Sequence, residues 1–116
     1  MVSIRQKKLA DQIKKIVSEV VDRKLKDPRK GFVTITHVKL SGDLRIASVF
    51  FTVLGNTESV QESLDVLNRA NHFIRNEIAS QIKARFVPEL RFFVDDTMEY
   101  ARRIEELLED LKKKGR

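Results

Sequence analysis

The chain has no cysteine and no tryptophan, and only two prolines, two histidines and four glycines among its 116 residues. Without cysteine there is no disulfide framework, thiol nucleophile or thiolate metal site. His37 and His72 lie far apart in sequence and make a poor start for a zinc cage. Gly31, Gly42, Gly55 and Gly115 are isolated, and none opens a helix behind a lysine, which excludes a nucleotide-hydrolysing phosphate loop. No run reaches the roughly 18 apolar residues of a membrane span. The start, Met1-Val2-Ser3-Ile4-Arg5-Gln6-Lys7-Lys8, lacks the apolar stretch of a signal peptide, so a cytoplasmic protein with no membrane contact is expected.

What is present is 41% hydrophobic and 34% charged, with a mean hydropathy of −0.33, a composition able to bury a core. The length suits one domain, read as residues 1–116 with a basic tail over about 112–116 that frays. The formal charge is +6, and its placement is uneven. Residues 1–31 carry 10 Lys/Arg against 4 Asp/Glu; residues 32–59 carry 2 against 2, residues 60–97 carry 5 against 6, and residues 98–116 carry 6 against 5. The excess therefore lies ahead of the first strand, where an anionic partner such as nucleic acid would be attracted. A solvated helix face is the plain alternative.

Ser3 can cap a helix whose apolar residues Leu9, Ile13, Ile16, Val17 and Val20 recur at three- and four-residue steps. Asp27-Pro28 ends the pattern, giving a helix of about 22 residues with Lys7, Lys8, Lys14, Lys15 and Lys26 opposite the apolar stripe. Lys7 with Asp11, Asp11 with Lys15, and Asp22 with Lys26 have the spacing to pair, leaving Arg5, Lys8, Lys14, Arg23, Lys24, Arg29 and Lys30 freer. Residues 32–40 and 46–54 read as two antiparallel strands joined by a turn at Ser41-Gly42-Asp43. In the first strand the apolar positions shift from Val33 and Ile35 to Val38 and Leu40, which predicts a bulge near Thr36 and His37. His37 there reads as a strand-edge side chain.

Gly55-Asn56-Thr57 ends the second strand, and Ser59 with Glu62 has capping-box spacing. The following apolar pattern, Val60 to Ile82 by way of Leu67, Phe73 and Ile78, spans about 25 residues, long enough to expect a break within it. Leu90-Arg91-Phe92-Phe93-Val94 after Pro88 reads as a third strand. Asp96 and Glu99 are spaced to cap a last amphipathic helix bearing Ala101, Ile104, Leu107, Leu108 and Leu111.

Catalysis has no positive signal. Asp95 and Asp96 are adjacent, yet neighbouring side chains in a strand or turn point apart, and Asp96 is accounted for as a cap, so no metal or other cofactor is expected. Phe51 shares a face with Ala47, Val49 and Val53 and belongs in the core. Phe50 and Phe93 fall on the other face, where they would stack bases or, on the favoured reading, lie under the terminal helix.

The segments Lys26-Asp27-Pro28-Arg29-Lys30-Gly31-Phe32-Val33-Thr34-Ile35-Thr36, Ser41 with Asp43-Leu44, Ala47 and Val49 ahead of Leu54-Gly55, Phe73-Ile74-Arg75, and Pro88-Glu89-Leu90 with Phe92 and Asp95 together resemble the bacterial ribosome-binding factor A family. The resemblance covers about residues 4–111. It implies an α+β, type II KH-like single domain of order α-β-β-α-(kink)-α-β-α, with helices packed on a three-stranded sheet. It also implies a monomeric, cold-shock-linked factor that binds the 30S subunit and 16S rRNA and assists small-subunit maturation, with assembly GTPases as further candidate partners. The family's Ala-x-Gly kink falls on Ala70, Asn71 and His72, so histidine stands where the glycine would be.

On this reading the protein is a non-enzymatic ribosome biogenesis factor. Its expected phosphate contacts are Arg5, Lys8, Lys14, Lys15, Arg23, Lys24, Arg29 and Lys30, with Arg45, Arg75, Lys83 and Arg85 as a second rank. A generic nucleic-acid-binding module and a protein-interaction adaptor are the alternatives, separated by salt because phosphate binding weakens steeply with ionic strength.

Overall fold

The computed structural model describes residues 3–54, 58–83, 86–96 and 105–112. Helix α1 runs over Ile4–Arg23, somewhat shorter than the apolar pattern suggests. Ser3 caps it, its hydroxyl accepting from the Gln6 amide at 3.1 Å while the Gln6 side chain accepts from the Ser3 amide at 2.9 Å. The helix ends before Asp27: the Lys24 amide makes the last i→i−4 bond, to the Val20 carbonyl, and the Leu25 amide closes onto that same carbonyl in place of the next one. A single 3-10 turn, Pro28–Lys30, follows, capped by the Asp27 carboxylate. Gly31, at φ 69°, then redirects the chain through a conformation that favours glycine.

Strands β1 (Phe32–Leu40) and β2 (Ile46–Leu54) pair antiparallel. The register shifts between Ile35 and His37, which keeps Val33, Ile35, Val38 and Leu40 all on the buried face. The long apolar pattern is broken as the sequence suggests: α2 covers Glu58–Arg69 and α3 covers Asn71–Gln81, with Ala70 between them. Ser59, expected as the cap, lies within the range of α2, Glu58–Arg69. Strand β3 (Glu89–Val94) pairs parallel to β2, giving the sheet order β1-β2-β3. The intervening helices supply the crossover that a parallel pair requires.

One sheet face packs against the helices. Ile13, Val17, Val20 and Val21 of α1 meet Val49 and Phe51 of β2, Leu67 of α2, and Ile74 and Ile78 of α3 in one core. Ser63 is the buried polar residue of this region, and its hydroxyl donates to the Lys30 carbonyl. Phe73 departs from its apolar pattern and lies exposed on α3.

The opposite face differs from expectation. Phe50 and Phe93 stack with centroids 5.5 Å apart, and His37, exposed on the edge strand, meets Phe50 at 5.9 Å. Among the described residues they are not covered by the terminal helix: residues 105–112 are helical but exposed, with Leu107, Leu108 and Leu111 at 58%, 54% and 64%, and Phe93 keeps 43% of its surface in solvent. An amphipathic stripe supplies an apolar face without fixing where that face docks. Ala101, Ile104, Glu99 and residues 55–57 and 113–116 lie outside the described residues. Among the described residues no helix is long and apolar enough to cross a membrane.

Candidate nucleic-acid interface

A cleft of about 900 Å³ lies where the first turns of α1, the β1–β2 turn and the segment from α3 into β3 converge. Its cations are Arg5 and Lys8 from α1, Arg45 from the turn, Arg75 from α3 and Lys83 from the loop beyond it. Asp43 and Glu89 are the acids at its edge, so five positive charges face two negative ones. The floor is apolar: Leu9, Leu44, Ile82 and Val87 are partly buried against the core. Phe86 lines the same cleft with 77% of its surface exposed.

Hydrogen bonds brace the walls. The Gln6 side-chain amide donates to the Ser41 carbonyl at 3.3 Å, joining α1 to the turn. Arg75 donates to the Val87 carbonyl at 3.0 Å, joining α3 to the loop. Within the turn, Asp43 Oδ1 accepts from the Ser41 hydroxyl at 2.7 Å and the Arg45 amide at 3.1 Å. These bonds, the Ser41 hydroxyl foremost, hold the Asp43 carboxyl below its usual pKa, so it stays ionised. The turn also holds Leu44 at φ 62°, a left-handed conformation that a branched residue rarely adopts, and places it in the floor.

The structure brings together Arg5, Lys8, Arg45, Arg75 and Lys83. Lys15 continues the helical stripe of Arg5, Lys8 and Gln12 at three- and four-residue steps, Arg23 lies two turns beyond it past the acidic Glu19, and Lys14 falls on the other flank of α1; all three cations are exposed. Three expected phosphate contacts are engaged elsewhere. Lys24 Nζ lies 2.7 Å from Glu77 Oε2 and joins α1 to α3. Arg29 forks onto the Asp27 carboxylate at 2.8 and 3.1 Å. Lys30 Nζ donates to the Val21 carbonyl at 2.6 Å near the end of α1. The spacings Lys7–Asp11, Asp11–Lys15 and Asp22–Lys26 do not close into ion pairs among the described residues. Arg85 lies outside the described residues.

At the helix break, the Asn71 side chain donates to the Leu90 carbonyl at 2.9 Å, pinning α3 to β3, while His72 is exposed. Asp95 accepts from the Thr36 hydroxyl at 2.6 Å and so joins β3 to the bulge of β1. Among the described residues no group of three metal-ligating side chains comes together. A shallower hollow of about 290 Å³ beside His37, Phe50 and Val94 carries Asp95 and Asp96, a charge that does not attract phosphate.

A family model for ribosome-binding factor A matches residues 5–108. The chain belongs to the ribosome-binding factor A family. Ribosome-binding factor A of Staphylococcus carnosus is 41% identical over 114 residues, which is 98% of this chain and 99% of that protein. A solution structure from Thermotoga maritima, described as a ribosome binding factor A, is 38% identical with a TM-score of 0.70, over 80% of this chain and 89% of the other. The Thermus thermophilus ribosome binding factor A, as fitted into a cryo-EM map of a 30S complex, is 28% identical with a TM-score of 0.63, over 74% of this chain and 90% of the other. The α+β fold of α-β-β-α-α-β order is thus that of ribosome-binding factor A structures.

The sequence reading missed the floor and Phe86. The floor residues come from three separated segments and carry no motif. Phe86 did carry a signal: a bulky apolar side chain in a loop, between Lys83 and Arg85 on one side and Pro88 on the other.

Proposed function

We propose that this chain is a ribosome biogenesis factor that binds the free or immature 30S subunit and assists late 16S rRNA maturation without catalysing a reaction itself. The observation that carries this reading is the cleft, where five cations from α1, the β1–β2 turn, α3 and its loop surround an apolar floor. The 30S complex of the Thermus thermophilus relative supports the choice of partner. The protein acts in the cytoplasm as a monomer, and assembly GTPases are candidates for promoting its release. Recognition rests on phosphate contacts and RNA shape, since the chain has no Gly-x-x-Gly clamp. It steadies one rRNA conformation because it binds that state more tightly than the alternatives, the only way a ligand shifts a conformational equilibrium.

Co-sedimentation with purified small subunits, large subunits and assembled ribosomes across a salt series tests this. Selective, salt-sensitive binding to free small subunits is the expected result. Equal binding to every polyanion reduces the protein to a generic basic module. Salt-insensitive capture by a protein surface favours an adaptor.

A further inference from the structure

We propose that the cleft holds one unpaired nucleotide of an RNA strand, with its base against Phe86 and the apolar floor and its flanking phosphates on the cationic rim. This rests on the RNA-binding reading above and adds the local form the RNA must take. Phosphates alone gain nothing from Leu9, Leu44, Ile82 and Val87, whereas the face of a base gains from burial against them. Phe86 is 77% exposed beside Lys83, and an exposed ring among cations is the arrangement on which unpaired bases stack. Leu44 is held in its disfavoured backbone conformation by the bonds of the turn, so the floor is shaped before any ligand arrives. A paired base is stacked inside its helix and does not reach such a recess. A bulged base does.

A strand suits the cleft better than a free nucleotide. No glycine-rich loop offers a cradle of backbone N–H groups, and the cations sit on long side chains from separate elements. Lys15 extends the stripe along α1, giving a further phosphate of the same strand a place to bind.

The test titrates the full chain into a short RNA duplex carrying one bulged 2-aminopurine, into the fully paired duplex, and with adenosine monophosphate alone. The bulged RNA is expected to bind about tenfold more tightly than the paired duplex, with a change in 2-aminopurine emission. Phe86→Ala is expected to abolish that preference and leave thermal unfolding unchanged, because the ring is exposed. Adenosine monophosphate is expected to bind about 100-fold more weakly than the bulged RNA. Equal affinity for bulged and paired RNA, or a preference that survives Phe86→Ala, overturns the site. Monophosphate binding as tight as that of the bulged RNA overturns the strand as occupant. Subunit co-sedimentation in parallel separates the two readings: subunit binding without a bulge preference removes this inference alone. A bulge preference without subunit binding keeps the nucleotide site and removes the ribosomal role.

Discussion

The backbone N–H of Glu89 donates to the carbonyl oxygen of Arg45 across 2.7 Å, fixing the end of the β1–β2 turn to the first residue of β3. The adjacent parallel pairing of Ile46 with Glu89 extends this bond into the sheet. Arg45 therefore projects from a braced backbone, and the cleft presents its cations from a frame set by folding. Such preorganisation lowers the ordering cost of binding.

Cations held in short ion pairs away from the cleft contribute differently from those lining it. Lys8→Ala combined with Arg45→Ala is expected to weaken RNA binding and to make the dependence of log K on log salt shallower by roughly 1.5 to 2, near one unit per lost phosphate contact. Lys24→Ala and Arg29→Ala, which remove the partners of Glu77 and Asp27, are expected to leave that slope unchanged. Titration of a single RNA at four or more salt concentrations reads both.

The cap of α1 links a local motif to the interface. Ser3→Ala removes the acceptor for the Gln6 amide and is expected to cost about 1 kcal/mol of stability in denaturant unfolding. Fraying of the first turn would disorder Arg5, so RNA affinity is expected to fall as well, although Ser3 is not among the residues lining the cleft.

Acid titrates the Asp27–Arg29 clasp. The Arg29 guanidinium, and then the Arg29 amide, hold the Asp27 carboxyl down from 3.8 to about 2. A folded-state value below the unfolded one means that the clasp's stabilisation is fully present above about pH 4 and is lost as pH falls through 2. Unfolding of the parent chain and of Asp27→Asn, compared from pH 2 to pH 6, is expected to show a gap that narrows only below about pH 4. A constant gap contradicts this assignment.

Asn71 works through the fold. Asn71→Ala deletes the bond to the Leu90 carbonyl between α3 and β3 and is expected to cost about 1 to 2 kcal/mol by chemical denaturation. His72→Gly, at an exposed neighbouring position, is expected to destabilise α3 by a smaller amount, through added backbone freedom.

The elements legible in the sequence are those fixed by local periodicity. The parity shift between Ile35 and Val38 marked the bulge, because a buried sheet face tolerates no misplaced polar residue. The length of the apolar pattern foretold the break that falls at Ala70. The exposure of Leu107, Leu108 and Leu111 was not legible, since amphipathicity names a face and not its partner. The engagement of Lys24 escaped notice because Glu77 is 53 residues away. The Asp27–Arg29 clasp is two residues long and could have been read from the sequence. The cleft gathers Arg5, Arg45, Arg75 and Lys83 only once β3 pairs beside β2, a long-range event that periodicity does not encode.

The most direct measurement compares small-subunit co-sedimentation of the parent chain, of Lys8→Glu combined with Arg45→Glu, and of Lys24→Gln combined with Arg29→Gln, after thermal unfolding has verified each fold. Loss of salt-sensitive subunit binding in the cleft pair, with binding retained in the second pair, is the expected result. Undiminished binding by a correctly folded Lys8→Glu, Arg45→Glu protein would contradict the assignment of the cleft as the RNA-binding site.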